Sequence, residues 1–273
     1  MRTYILPLLL LFAGVLFWTC KEKPIPIPTL SVGKRNVLVE ELTGVRCQNC
    51  PDGAAILNNL SKQLGDNLIV VSVHAAANYS VPYTGESKED FRTNKGTEMA
   101  NYVGAPQGFP AASINRKLVP PETDIFLGPN YWNGEIAAEL KNDPVIGVFL
   151  ETNFNPVTRQ LDVSVNLAPE TTLSGDHRLT VLITQDSIQD VQLWGVTKIP
   201  DYMHRHVLRD ILSQSTGDVI NEPLNSTSVV KRTYSTVLPA KWDEKHCTVV
   251  AFVHHGSAPD KEVLQAAEAH IIK

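Results

Sequence analysis

The chain contains 273 residues, of which 24 are basic and 29 acidic, so its formal net charge at pH 7 is −5. This charge excludes an electrostatic nucleic-acid binder, which needs a basic face to displace counterions from phosphates. A hydrophobic content of 43% with only four cysteines excludes a disordered chain and a disulfide-stapled scaffold. We therefore expect a globular protein of two domains, in which each cysteine needs its own explanation.

Residues 1–19 have the pattern of a secretory signal peptide. Arg2 supplies a short basic start, and the apolar stretch over 4–18 has the length of a signal-peptide core rather than of a bilayer span. Cys20 ends this stretch, as does the acylated first residue of bacterial lipoproteins, although residues 17–19 are bulkier than the usual lipobox. We predict lipidation at Cys20, with an ordinary secretory signal or an uncleaved anchor as the alternatives.

A proline-rich segment follows the predicted lipid attachment site. Residues 20–35 contain Pro24, Pro26 and Pro28 in alternation, which favours extended polyproline geometry and predicts a stiff tether. A lipid-tethered protein of this kind would lie in the cell envelope, where disulfides persist.

The second and third cysteines lie between a predicted strand and a predicted helix. Residues 37–42 form an apolar run typical of a buried strand, and the sequence CQNCP begins at Cys47, directly before a helical pattern that ends near Gly65. Residues 68–73 then predict a second buried strand, as in a parallel sheet. A thiol at a helix N-terminus is favoured as its thiolate, so Cys47 is the predicted nucleophile and Cys50 the resolving thiol.

Other chemistries of this motif can be weighed from the neighbouring residues. A c-type haem site requires histidine after Cys50, where Pro51 stands, and a zinc site would need two further ligands at close spacing. No cofactor is therefore expected. A redox-active pair and a purely structural disulfide both stay open.

The segment VLVEELTGVRCQNCP resembles the thioredoxin superfamily in its order of strand, loop, CxxC and helix, and QGFPA further along resembles the cis-proline loop of that superfamily. The resemblance implies that Phe109 and Pro110 lie opposite the cysteines and dock a substrate strand. It also implies that Glu41 is a buried acid that assists proton transfer to the resolving thiol. Arg46 replaces the usual aromatic residue before the first cysteine, so the reduction potential stays open. An ordinary loop proline is the alternative for Pro110.

These patterns predict two domains that differ in secondary-structure content. Residues 36–143 are the predicted α/β thioredoxin-like domain, with a helical insertion from about residue 89, and a last helix is predicted over 132–141. Strand-like segments separated by turn signals then predict a mainly antiparallel, sandwich-like β domain over 144–273. Its final segment is consistent with a helix or with a strand.

A histidine pair and the fourth cysteine lie in this second half. His204 and His206 would share one face of a strand, but a metal would need a third ligand that the sequence does not identify. We therefore predict no metal site, and a hydrogen-bonded or exposed pair is the favoured interpretation. Cys247 begins an alternating strand pattern, which predicts a buried and inert thiol.

The lipoprotein-like start, the CQNCP segment and the stretch YMHRHVLR together resemble the twenty-eight-kilodalton outer-membrane lipoprotein family of Gram-negative anaerobes. The resemblance implies a location in the cell envelope, at the outer membrane, and says little about a reaction. Two functions are expected from the residues. One is a thiol–disulfide oxidoreductase that acts on envelope protein thiols or disulfides through Cys47 and Cys50. The other is a non-enzymatic surface or periplasmic lipoprotein whose β domain binds protein or glycan.

Overall fold

The computed structural model describes residues 33–75, 77–257 and 261–272. The predicted signal peptide, Cys20 and most of the predicted tether lie outside the described residues. Within them the protein is rich in β-strands and has few helices. None of the helices in this part of the chain has the length and apolar character needed to span a bilayer.

The first elements form a β-α-β unit where the sequence predicts one. Strand β1 (Val37–Leu42) runs parallel to β2 (Leu68–Val73), and helix α1 (Cys50–Leu64) connects them. Gly65 ends the helix at a φ of 55°, a left-handed conformation that glycine adopts without a Cβ clash. Pro51 occupies the first turn, where a missing N–H costs no helical hydrogen bond.

The remaining elements alternate less regularly along the chain. They are helices α2 (Asn94–Val103) and α3 (Pro129–Glu139) and strands β3 (Ala111–Ile114), β4 (Phe126–Leu127), β5 (Ile146–Asn155), β6 (Gln160–Pro169), β7 (His177–Gln185), β8 (Ile188–Trp194), β9 (Thr197–His204), β10 (Val207–Ile211), β11 (Asp218–Val219), β12 (Val230–Val237), β13 (Cys247–His255) and β14 (Val263–His270). Helix α2 begins later than predicted because the Thr93 side chain caps it, accepting a hydrogen bond from the Gly96 N–H. The final segment is a strand that pairs with β13, so the strand alternative is confirmed.

One mixed sheet joins strands from both halves of the chain. Its strand order is β14-β13-β7-β10-β2-β1-β3-β4, and β11 pairs with β7. Strand β10 lies between β2 and β7, parallel to the first and antiparallel to the second. The boundary predicted after residue 143 therefore does not separate two sheets. Local patterns cannot reveal this, because the neighbours of a strand in a sheet are set by long-range contacts.

Helices and a second sheet cover the two faces of this large sheet. On one face α1 and α3 pack over β1, β2 and β3, with Leu57, Val70 and Trp132 in the shared core. Further along the same face a three-stranded antiparallel sheet, in the order β12-β6-β5, packs over β7 and β13 through residues such as Val163 and Val181. Helix α2 packs on the opposite face. The expected antiparallel layers are thus present, but they share one sheet with the α/β part.

Strands β8 and β9 form a separate two-stranded hairpin. The sequence does not predict it as a unit, because its apolar residues follow neither a regular alternation nor a continuous run. It extends over the carboxyl ends of β1 and β2, and the Ser72 N–H donates to the His206 carbonyl just after the hairpin over 2.7 Å. The hairpin therefore supplies one wall of the region where the cysteine pair lies.

Candidate active site

Cys47 and Cys50 form a disulfide at the start of α1. Their Cα atoms are 5.4 Å apart, and the side chains are only 3% and 2% exposed. The pair lies beyond the carboxyl ends of the parallel strands β1 and β2, where α/β proteins commonly place binding and catalytic groups. The predicted position of the CxxC segment, between a strand and a helix, is confirmed.

The two cysteines face different spaces. Cys47 lines a surface groove of about 220 Å³, whose other walls include Tyr79 and the loop of residues 107–109. Cys50 lines a narrow cavity of about 30 Å³ on the inner side of the loop, and Cys47 is not part of that lining. A molecule in the groove therefore lies beside the first cysteine, whereas the second cysteine lines the cavity that also contains Glu41.

The loop before β3 forms one wall of the groove. The Phe109–Pro110 peptide bond is cis, as the resemblance implied. Pro110 lies against Gly53 of α1, and a Cβ added to that glycine would lie 2.9 Å from two carbons of the proline ring. Phe109 packs against Tyr79, with ring centroids 5.6 Å apart. Tyr79 was not predicted, because nothing in its polar loop indicates a contact with a residue about thirty positions away.

Arg46 anchors the segment that carries the cysteines. Its backbone N–H donates to the Tyr79 carbonyl over 2.8 Å, and its guanidinium donates to the carbonyls of Val81 and Pro82 over 2.6 and 2.7 Å. The guanidinium carbon also lies 4.5 Å from the centre of the Tyr83 ring, at cation–π distance. Arg46 thus ties the CxxC segment to the neighbouring loop.

The β8–β9 hairpin packs against the other side of this segment. The buried Gln192 side chain donates to the Cys47 carbonyl over 3.1 Å, and the Gly195 N–H in the hairpin turn donates to the Gln48 carbonyl over 2.8 Å. Sequence reasoning missed Gln192, because an isolated glutamine carries no signal of its partner. The hairpin holds the disulfide loop in place from a part of the chain far away in sequence.

Glu41 is buried behind Cys50. It is 1% exposed and lines the same cavity as that cysteine. The Ser72 hydroxyl donates to its Oε2 over 2.9 Å, whereas Oε1 has no hydrogen-bond partner in the described part of the chain. Burial raises the pKa of Glu41 to about 7, and the Ser72 hydrogen bond opposes this only in part. The carboxyl group can therefore hold or release a proton near neutral pH.

The two histidines of the YMHRHVLR stretch do not share a strand face. Strand β9 ends at His204, and His206 lies in the following turn at a φ of 54°, which breaks the alternation. His204 is buried in the cavity beside Glu41, and His206 Nδ1 lies 3.6 Å from Asp186 Oδ1. Across residues 33–75, 77–257 and 261–272 there is no group of three ligating side chains that could hold a metal ion.

Cys247 is a free and fully buried thiol at the start of β13, as predicted. Burial raises its pKa to about 12. A thiol in this state carries almost no thiolate at neutral pH, so it is inert in exchange reactions.

Comparison with known proteins gives the family. A family model described as outer membrane protein Omp28 matches residues 98–272. The chain belongs to the Omp28 outer membrane protein family. Its location is accordingly the outer membrane, as the sequence resemblance implied. The Omp28 match begins after the cysteine pair, so it includes the proline loop and the β8–β9 hairpin but neither Cys47 nor Cys50.

Solved structures resemble this Omp28 family member at low sequence identity. HBP35 of Porphyromonas gingivalis is 18% identical, covers 88% of this chain and 76% of its own, and has a TM-score of 0.70. AGR_C_4864 from Agrobacterium tumefaciens is 13% identical, covers 89% of this chain and 97% of its own, and has a TM-score of 0.54. A domain of the outer membrane lipoprotein Omp28 from Porphyromonas gingivalis is 17% identical over 47% of this chain and 88% of its own, with a TM-score of 0.34. No curated protein sequence matches the chain.

Proposed function

We propose that this Omp28 family member is an outer-membrane lipoprotein whose thioredoxin-like part exchanges disulfides with envelope proteins through Cys47 and Cys50. The observation that carries the proposal is that the two cysteines of the disulfide line two different spaces. Cys47 faces a surface groove, and Cys50 faces a cavity that holds the titratable acid Glu41. An inert structural disulfide needs neither an adjoining groove nor a buried carboxyl group with a shifted pKa.

The order of elements supports the thioredoxin-like part of the proposal. Strand β1, the disulfide, α1 and β2 follow one another as in that superfamily, and the cis Phe109–Pro110 bond precedes β3, which pairs antiparallel with β1. The signal peptide over 1–19 and the lipid anchor at Cys20 rest on the sequence pattern alone.

The exchange reaction consists of two thiolate attacks. A substrate thiolate in the groove, lying along Phe109 and Pro110, attacks the Cys47 sulfur, which forms a mixed disulfide and breaks the Cys47–Cys50 bond. Cys50 leaves as a thiolate and takes the proton of Glu41. A second substrate thiolate then attacks the substrate sulfur of the mixed disulfide, and Cys47 leaves as a thiolate.

The electrons of this reaction balance between the two proteins. The substrate loses two electrons and gains a disulfide, and the lipoprotein gains two electrons as a pair of reduced cysteines. Both substrate thiols give their protons to water before they attack. Run backwards, the same steps reduce a substrate disulfide, so the reduction potential of the partner decides the direction.

Turnover of disulfide substrates tests the proposal. Wild-type protein is expected to accelerate both the reduction of insulin by dithiothreitol and the refolding of a protein with scrambled disulfides. Cys47→Ser should abolish both activities, and Cys50→Ser should accumulate a mixed disulfide at Cys47. Cys247→Ser is the matched control and should leave the rates unchanged, because that thiol is buried and protonated. No turnover by the wild type, or full turnover by Cys47→Ser, would contradict catalysis.

The second candidate is a non-enzymatic binding lipoprotein. The near-complete burial of both cysteines favours it, because an enclosed disulfide is harder to attack. The outer face of the β12-β6-β5 sheet then supplies the binding surface, a depression of about 490 Å³ whose exposed lining includes Asp162 and Ser235. A reduction potential of the Cys47–Cys50 pair below about −300 mV, measured against glutathione or dithiothreitol, would support this function over exchange.

A further inference from the structure

Four buried polar atoms beside Cys50 have no hydrogen-bond partner in the described part of the chain. They are Oε1 of Glu41, both ring nitrogens of His74 and Nε2 of His204. These side chains are 1%, 4% and 4% exposed, and all line the same cavity as the cysteine. Buried polar groups are rarely left without partners, so a cluster of them around one cavity points to something that fills it.

Aromatic rings hold the two imidazoles in place. The ring centroids of His74 and His204 are 5.9 Å apart, and Phe91 packs against both at 4.9 and 4.8 Å. Tyr202 packs against His204 on another side, at 4.9 Å. These contacts orient the imidazoles without satisfying the nitrogens named above.

The cavity has room for water and reaches the surface. A water molecule needs roughly 10–15 Å³ of such space, so a cavity of about 30 Å³ accommodates about two. Its lining extends from the buried Glu41 and Cys50 to the exposed side chains of Met203 and Arg205. A chain of water molecules in this space would connect the carboxyl group with bulk solvent.

Burial keeps both imidazoles uncharged at neutral pH. It lowers the pKa of His74 to about 3, with the charges of His204 and Arg209 acting in the same direction, and it lowers the pKa of His204 to about 4. A neutral imidazole has one donor and one acceptor nitrogen, so it can accept a proton on one side while it releases one on the other.

We propose that His204, together with His74, links Glu41 to the surface through water in this cavity and acts as a positioning residue for the protonation of Cys50. This rests on the proposed function, because the link matters only when Cys50 leaves as a thiolate. The step moves a proton and no electrons. A proton from surface water passes along the chain of water and imidazole to the Glu41 carboxylate as Glu41 protonates the Cys50 sulfur.

Titratable and charged groups from several elements surround the side chains of Glu41, His74 and His204. They are Glu41 on β1, His74 after β2, Asp90 before α2, Asp190 on β8, Tyr202 on β9, Arg205 and His206 in the next turn, and Arg209 on β10. The Asp190 charge raises the pKa of His204, and the Arg209 charge lowers that of His74. A pH profile therefore reports the cluster as a whole.

The test follows reduction of the Cys47–Cys50 disulfide by dithiothreitol, which needs no protein substrate. Stopped-flow fluorescence of the full mature chain reports the step through Trp194, whose indole N–H donates to Asp52 in the first turn of α1. Rates are divided by the dithiothreitol thiolate concentration. Below about pH 7, Glu41 carries its own proton. Above that pH the proton has to arrive along the link during the reaction.

The expected effect of His204→Gln is confined to high pH. We expect a rate about tenfold lower than wild type near pH 8.5, and a rate within about twofold of wild type near pH 6, because loss of a proton-transfer group costs rate only where the transfer is needed. The wild-type rate should show an inflection near pH 7, where Glu41 titrates, and Glu41→Gln should remove it. His246→Gln is the matched control, because His246 is an exposed histidine beside Asp243, outside the cavity lining, and it should have no effect.

Two results would overturn the inference. One is a His204→Gln rate equal to wild type at both pH values, and the other is an equal loss at both, which a structural role alone would give. Should the variant fail to fold, the wild type decides by its rate in mixtures of H₂O and D₂O near pH 8.5. A curved dependence on the D₂O fraction means several protons in motion and supports the link, and a straight line contradicts it. Absence of insulin turnover would refute the proposed function without changing these results.

Discussion

Two neighbouring glutamates on β1 point to opposite faces of the sheet and meet opposite surroundings. Glu40 is 2% exposed, and the Arg116 guanidinium donates to both of its oxygens over 2.6 and 2.7 Å. The Ser113 hydroxyl adds a hydrogen bond of 3.1 Å. Glu41 is buried to the same degree, but one oxygen receives the Ser72 hydroxyl and the other faces the cavity.

This difference teaches that burial alone does not decide what an acid does. A buried carboxylate held by a bidentate guanidinium is a cross-link, because neither group can leave the other without a large cost. A buried carboxyl group beside a cavity can instead bind and release a proton, because no cation in the described part of the chain stabilises its charge. The Glu40 side of β1 is therefore structural, and the Glu41 side is the one that can serve Cys50.

Removing the cation on the Glu40 side should have the largest effect. Arg116→Met leaves the buried carboxylate with the Ser113 hydroxyl as its one donor among the described residues, and we expect the free energy of unfolding at pH 7 to fall by about 3–5 kcal/mol, measured in urea. Adding Glu40→Gln should restore part of the loss, because the unpaired charge is then gone. Equal losses in the single and the double variant would mean that the packing of Arg116 over the Phe252 ring dominates.

On the Glu41 side of β1, the substitution Glu41→Gln should remove a pH dependence of the free energy of unfolding. The folded-state pKa of Glu41 is raised from 4.5 to about 7, so between these values the folded state binds a proton that the unfolded state has released. The stability from this group is present below pH 4.5 and is lost as the pH rises through 7, by on the order of 3 kcal/mol. Unfolding free energies near pH 5 and pH 8.5 measure the loss. The same fall in the variant as in the wild type would contradict the assignment.

His74, which lines the same cavity as Glu41, should give a pH dependence of stability of the opposite sign. The pKa of His74 is lowered from 6.5 to about 3, so its contribution to stability is present above pH 6.5 and is lost as the pH falls toward 3. The free energies of unfolding of His74→Phe and wild type are compared at two pH values. We expect their difference to favour the variant by on the order of 2 kcal/mol more near pH 4.5 than near pH 7. Equal differences at both pH values would show that the imidazole is not buried in its neutral form.

The smallest effect is expected from Ser72, whose hydrogen bond is the interaction that lowers the pKa of Glu41. Ser72→Ala should cost about 1 kcal/mol near pH 8.5 and move the inflection in disulfide reduction above pH 7. Ser113→Ala removes the corresponding hydroxyl on the Glu40 side and is the matched control. An inflection that moves in both variants, or in neither, would show that it does not report Glu41.

The sequence predicts the cysteine-bearing part of the site because its signals are local. Apolar runs indicate β1 and β2, and helical spacing and Gly65 indicate α1. The Gly-Phe-Pro sequence at residues 108–110 indicates the proline loop. The structure brings these segments together around Cys47 and Cys50, as the resemblance implied.

The rest of the site depends on distant partners and could not be predicted. His204 meets His74 only through the fold, with their ring centroids 5.9 Å apart, and the positive φ at His206 removes the strand alternation on which the histidine-pair hypothesis depends. Gln192 and Tyr79 reach the cysteine segment only through the fold. For the same reason the sequence does not reveal that the large sheet includes strands from both sides of the predicted boundary after residue 143. The pairing of β10 with β2 cannot be predicted from either segment alone.

The central position of β10 also governs when the cysteines become enclosed. A chain is synthesised from its N-terminus, so β1, Cys47, Cys50 and β2 reach the envelope long before residues 207–211. Until then β2 keeps an open edge, and β9 is not yet present to close the cavity behind Cys50. The surroundings of the cysteine pair are therefore complete only once the last third of the protein has been synthesised.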